Sequence, residues 1–178
     1  MKPEDVTSFW EQAGESRWFN KDAVFDGALS VRFGAALAAA REGAFDRWGD
    51  TAEGALGLVI LLDQVSRNIH RGNPLSYAAD GRALSMAKQW IGKGFHRMLP
   101  APRAMWFILP FEHAEDLDAQ RRGVALYHSM GLTDMARWGQ LHLDIIAQFG
   151  RFPHRNPVLG RVSTARELAF LKAGGFSG

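Results

Sequence analysis

His113, Glu115 and His142 are the groups in this sequence best suited to move a proton near neutral pH, because imidazole and carboxylate both titrate within reach of it. His113 and Glu115 stand in Pro110-Phe111-Glu112-His113-Ala114-Glu115, beside a proline break, and a spacing of two does not place them on one helical face. His142 falls on the apolar side of a helical pattern with Ile145, Ile146 and Phe149, where a histidine is commonly a hydrogen-bonded core residue. A hydrolytic or acid–base enzyme built on these three needs a fold that brings them into one cleft. Zn, Fe or Mn would accept the same donors. No HExxH or equivalent paired spacing occurs, so neither a metal nor a cofactor is expected.

A second constellation is cationic. Phe149 to Arg161 reads FGRFPHRNPVLGR and holds Arg151, His154, Arg155 and Arg161 with no acid among them. Arg67 and Arg71 carry the same character at the end of an apolar stretch, with Asp63 one turn before Arg67. Guanidinium forks suit carboxylate and phosphate, so Asp63, Arg67, Arg71, Arg151, His154, Arg155 and Arg161 are expected to line a pocket for an anionic small molecule or an acidic peptide. On this reading the protein is a binding module. The competing reading is structural: the arginines satisfy Asp63, Asp80, Glu115 and Glu167 and helix C-terminal carbonyls, leaving a scaffold for protein interaction.

These groups must be positioned by helices. Val6, Phe9, Trp10 and Ala13 recur at helical spacing behind Pro3, with Gly14 as a stop. Val24 to Phe33 give a second stripe, followed by the alanine-rich run 35–40 and Gly43. Ala55 to Leu62 is apolar nearly all round, as a central buried helix should be. It runs into Asp63-Gln64-Val65-Ser66-Arg67-Asn68, where Asp63 with Arg67, and Gln64 with Asn68, are spaced to pair along the helix. Gly72-Asn73-Pro74 breaks the chain before a helix through Ala83, Ala87 and Trp90. A shorter helix through Met105 to Leu109 is expected to stop at Pro110, and Glu112, Glu115, Asp116 and Asp118 then favour the start of the next one. Thr133 or Asp134 caps a helix through Trp138 and His142, and Thr164-Ala-Arg-Glu167 reads as a capping box. Trp10, Trp90, Trp106 and Trp138 fall at core spacing.

No stretch combines strand alternation with hairpin turns. The expectation is an all-α single domain, 1–178, of about seven to eight helices in stacked antiparallel pairs. Its parts are N-terminal helices over 3–43, central helices over 52–130, and a C-terminal part over 134–173 holding the FGRFPHRN segment and the last helix. With 178 residues and 47% hydrophobic composition, such a chain can bury a sizeable core. The absence of cysteine excludes disulfides, thiolate chemistry and iron–sulfur clusters. A net charge of +2 is too small to imply nucleic-acid binding. The acidic start MKPEDVTSFW is not a secretory signal, and the apolar runs at 56–62 and 104–109 fall short of the roughly 20 residues of a membrane helix. A soluble cytoplasmic protein is expected.

Several motifs sit together in a known pattern: Trp18-Phe19, Leu61-Leu62-Asp63-Gln64 with Ser66-Arg67-Asn68 and Arg71, Leu109-Pro110-Phe111 with His113 and Glu115, Phe149-Gly150-Arg151-Phe152-Pro153-His154-Arg155-Asn156, and Leu159-Gly160-Arg161 with Ser163-Thr164 and Glu167. Over nearly the whole chain this resembles the bacterial domain of unknown function 924 family. Val65 departs from it, standing where a bulky aromatic follows Asp-Gln. The resemblance implies a TPR-like helical fold in a cytoplasmic protein and brings no activity with it.

Overall fold

The computed structural model describes residues 1–177. Its axis is the apolar stretch. Helix α4 (Ala52–Val59) continues through a π-helical segment (Ile60–Val65) into α5 (Ser66–Ile69), and every residue from 54 to 66 is buried. Thr51 opens α4 by accepting the Gly54 N–H. A π turn is wider than an α turn and re-aims its side chains, and such segments recur at functional sites. Asp63 and Gln64 lie in it.

Around this axis pack α1 (Pro3–Ala13) and α3 (Ala23–Arg41), joined by the single turn α2 (Glu15–Trp18). Gly57 permits the close crossing of α1 over α4, since a Cβ there would lie 2.9 Å from the Pro3 carbonyl oxygen. Phe25, Leu29, Phe33, Leu37 and Ala40 of α3 face inward at helical spacing. Among the described residues α3 is the helix long and apolar enough to cross a membrane by length and composition. Its apolar run is broken by Asp26 and Arg32, which is why it does not stand out by eye, and its inner face belongs to the core.

The rest of the chain closes the other side: α6 (Asp80–Gly92), α7 (Ala101–Ala104), a 3₁₀ turn (Met105–Phe107), α8 (Leu109–Glu112), α9 (Leu117–Ser129), α10 (Thr133–Phe149) and α11 (Ala165–Lys172). No strand occurs among the described residues, so the chain is an all-α single domain. Residues Met130–Leu132 fold α9 back onto α10. Trp10, Phe33, Phe107, Phe111 and Tyr127 are fully buried in one core, and Ile145, Ile146 and Phe152 form a smaller second one.

Four local expectations are corrected. Pro110 does not stop a helix; it occupies the first turn of α8, where its missing N–H costs nothing. Glu112 therefore ends α8 instead of opening the next helix, and Asp116 caps α9 by accepting the Ala119 N–H. Thr133 and Asp134 lie inside α10 and make no cap, since Leu132 holds the N-cap position. Trp138 is not a core residue: it is 55% exposed. The capping box of Thr164 and Glu167 forms as read.

Candidate functional site

Helix α8 delivers His113 directly onto the π segment. The His113 Nδ1 lies 2.9 and 3.0 Å from the two Asp63 oxygens. Asp63 is 1% exposed, and Gln64 Nε2 also donates to it. Burial favours the neutral acid, but the charges and hydrogen bonds of His113, Arg67 and Gln64 outweigh it and hold Asp63 well below the usual carboxylate range. Burial and the neighbouring Arg67 push His113 below its ordinary value, against the pull of Asp63. At neutral pH the pair is thus a carboxylate and a neutral imidazole whose proton sits on Nδ1. The other nitrogen, Nε2, is a lone-pair acceptor and has no protein partner among the described residues.

Next to this pair stands a second one. His142 Nδ1 donates to the Trp138 carbonyl at 2.8 Å and lies 3.3 Å from Glu112 Oε1. Burial drives His142 down to about 3, partly countered by the Trp138 carbonyl. Burial drives Glu112 up to about 8, so its carboxyl is mostly protonated at neutral pH. Glu112 Oε2 and the adjacent Tyr127 hydroxyl are both buried without a hydrogen-bond partner of normal geometry.

His113, His142 and Glu112 line one cleft of about 360 Å³, in the range of small-molecule sites. Gln64, Arg67, Asn68 and Arg71 border it on the α5 side. Trp18, Phe19, Trp138 and Phe176 make its apolar walls, and Phe19 is itself 57% exposed. Phe176 lies edge-on to His142 with ring centroids 4.6 Å apart.

Of the three candidate proton carriers, the fold brings His113 and His142 together and leaves Glu115 outside. Glu115 accepts the Phe152 N–H at 2.8 Å and both Arg161 nitrogens at 2.6 and 2.9 Å. Its place in the cleft is taken by Glu112. The sequence signal for Glu112 was its adjacency to His113; it was masked by an apparent role at a helix start.

The seven predicted ligand-binding residues divide. Arg67 and Arg71 line the cleft; Asp63, buried and bonded to His113, is not among its lining residues, and neither are Arg151, His154, Arg155 and Arg161. Arg67 grips Asp80 at 2.8 and 3.1 Å and reaches Asp63 at 3.6 Å. Arg155 donates to Asp80 at 3.2 Å and to the His113 carbonyl at 3.0 Å, its guanidinium 4.5 Å from the Tyr77 and Phe152 ring centres. Arg155 and Asp80 border a second hollow of about 380 Å³ on the far side of His113. Arg71 pairs with Asp26 of α3, Arg151 with Glu167, and Arg161 with Glu115. His154 lies between the Phe152 and Phe176 rings and is pushed down to about 4, mainly by burial and by Arg155. Each of the five arginines therefore has a carboxylate on its fork. Gln64 and Asn68 do not pair with each other: Asn68 turns to Asp26 at 2.9 Å.

A family model described as "Bacterial protein of unknown function (DUF924)" matches residues 6–175. The chain belongs to this family. Curated proteins contain no match to the DUF924 chain. A solved structure of a protein of unknown function from Agrobacterium tumefaciens is 40% identical, covers 97% of each chain and superposes with a TM-score of 0.92.

Proposed function

We propose that the cleft is an acid–base active site for a small molecule. His113 accepts a proton through Nε2, Asp63 fixes its tautomer and direction, and the Glu112 carboxyl supplies a proton from the opposite pair. The observation that carries this reading is the Asp63–His113 hydrogen bond, which leaves a neutral imidazole with an unpaired Nε2 lone pair on a residue that lines the cleft. Two titratable pairs whose environments push their pKa values apart divide the roles of base and acid. A purely structural network accounts for Arg67, Asp80 and Arg155. It gives no reason for an imidazole nitrogen, a protonated carboxyl and exposed aromatic walls to share one hollow. Capture of an anion by the arginines is less well supported, because an incoming anion would have to displace a carboxylate from each fork. The proposal includes a cytoplasmic setting, which the cysteine-free composition permits.

The test is to incubate a bacterial metabolite extract with the wild-type protein and with His113→Gln, and to follow both by mass spectrometry. Compounds consumed by the wild type should be consumed at least about 10²-fold more slowly by the variant, the usual contribution of a positioned base. Equal consumption by both, or none by either, would count against catalysis.

A further inference from the structure

Two side-chain amides lie on the polar floor of the cleft. Gln64 and Asn68 are each 4% exposed, and each is held to a carboxylate by one N–H. The Gln64 amide donates to Asp63, and the Asn68 amide donates to Asp26 at 2.9 Å. Both carboxylates are fixed in turn, Asp63 by His113 and Arg67, Asp26 by Arg71. These bonds hold the amides in place and use only part of what they offer. A primary amide has two N–H donors and an accepting carbonyl. Each amide therefore keeps one N–H and its carbonyl oxygen unspent among the described residues. His113 and His142 set Nδ1 on a protein acceptor and keep Nε2 as a lone-pair acceptor. Neither carbonyl and neither Nε2 is sealed from solvent.

Unspent groups of both signs set a requirement on what fills the cleft. A ligand that only donates leaves two amide N–H groups unpaired. One that only accepts leaves two carbonyls and two imidazole nitrogens unpaired, and either mismatch weakens binding. A ligand edge with a donor and an acceptor side by side meets both, as an Asn or Gln amide meets the edge of adenine. The walls set the shape. Trp18, Phe19, Trp138 and Phe176 line the hollow, with Phe19 and Trp138 more than half exposed, and aromatic side chains stack on any flat ring. The volume of about 360 Å³ has room for two fused rings. From the amides and the walls together we infer that the cleft binds a planar nitrogen heterocycle with a lactam or amidine edge, an N–H beside a carbonyl or ring nitrogen, as nucleobases carry. This inference rests on the cleft as a ligand site, and deepens the acid–base reading by naming the substrate class. It does not depend on turnover.

Three flat two-ring probes test it: quinazolin-4-one, 3-methylquinazolin-4-one and 2-naphthoate. The second lacks the ring N–H, and the third replaces the edge with a carboxylate. Titration of each into ¹⁵N-labelled wild-type protein is followed at the indole N–H signals of Trp18 and Trp138. Quinazolin-4-one should shift both signals and bind about tenfold or more tightly than either of the others, as expected when a site's polar groups are left unpaired by the wrong ligand. In Asn68→Ala, Asp26 keeps the Arg71 fork, so the Trp10 and Trp106 signals should stay in place while the margin over the methylated probe shrinks. Trp138→Ala, read at Trp18, should weaken all three probes alike, since it removes a wall and leaves the floor. Tighter binding of 2-naphthoate, equal binding of all three, no shift by any of them, or a margin that Asn68→Ala leaves unchanged overturns the inference. Its failure is separable from failure of the acid–base reading. A turnover that His113→Gln abolishes, without preference for the lactam, would remove only the ligand class. Preference for the lactam without turnover in any extract would remove only the catalysis.

Discussion

His113 and Asp63 meet through a nitrogen placed between both carboxylate oxygens, at 2.9 and 3.0 Å, although fifty residues separate them in sequence. Arg67 lies on the other side of the same carboxylate at 3.6 Å and acts on His113 in the opposite sense. The two charges make a prediction of sign. Arg67→Gln removes a cation that disfavours the imidazolium, so the His113 pKa should rise. Asp63→Asn removes the anion that favours it, so the pKa should fall further. Histidine Cε1–H signals followed by NMR across pH 4 to 9 would show both shifts, and a change of equal sign in the two variants would contradict the geometry.

Stability should depend on pH in a way that Glu112 and the buried histidines set jointly. Glu112, raised from 4.5 to about 8, binds a proton in the folded state that the unfolded chain has released over that interval. Its contribution is complete below 4.5 and is lost as pH rises toward 8. His142 and His154, lowered from 6.5 to about 3 and about 4, work in the other direction. Their contributions are complete above 6.5 and are lost as pH falls. The melting temperature should therefore climb from pH 4.5 to about 6.5 and decline between 6.5 and 8. Glu112→Gln, which cannot ionise, should remove the decline above 6.5 and keep the climb below it. Calorimetry of the two proteins from pH 4 to 8 checks this.

Much of the scaffold was legible because it is written in local spacing. The i,i+4 relation of Asp63 and Arg67 and the Thr164–Glu167 capping box each depend on residues within one turn of each other. Four acids proposed as internal partners for the arginines, Asp63, Asp80, Glu115 and Glu167, do receive them. What was not legible depends on separation in sequence. Asp26 pairs with Arg71 across 45 residues, and Asp80 holds Arg155 across 75. Spacing carries no information about either. Glu112 was hidden for a different reason. A carboxylate near a helix boundary satisfies the dipole argument equally well whether it opens one helix or ends another, and only the position of Pro110 inside α8 decides between them.

Arg155 should be the most costly arginine to remove. It is 6% exposed, bonded to Asp80 and the His113 carbonyl, and placed between the rings of Tyr77 and Phe152. Arg155→Ala strips one cation from a half-buried carboxylate, frees a backbone carbonyl and opens a gap between two rings. The loss should be about 3 kcal/mol or more in urea denaturation. Arg137→Ala serves as the control: its pair with Asp134 is solvent-exposed on both sides, and its removal should cost less than about 0.5 kcal/mol.

Glu115 and Glu112 are three residues apart, and their neutral variants should separate structure from site. Glu115 ties the Phe152 N–H and the Arg161 fork to the end of α8, and so fastens the FGRFPHRN segment to the core. Glu115→Ala leaves that amide and that guanidinium without their acceptor, at a cost of about 1–3 kcal/mol. Exchange of the Phe152 amide hydrogen should speed up accordingly, because the segment opens locally before the domain does. His113 and the Trp138 indole should keep their NMR signals, since Glu115 touches neither wall nor floor of the cleft. The reverse pattern, a Phe152 amide that stays protected while His113 shifts, would place Glu115 in the site and deprive the segment of its main anchor.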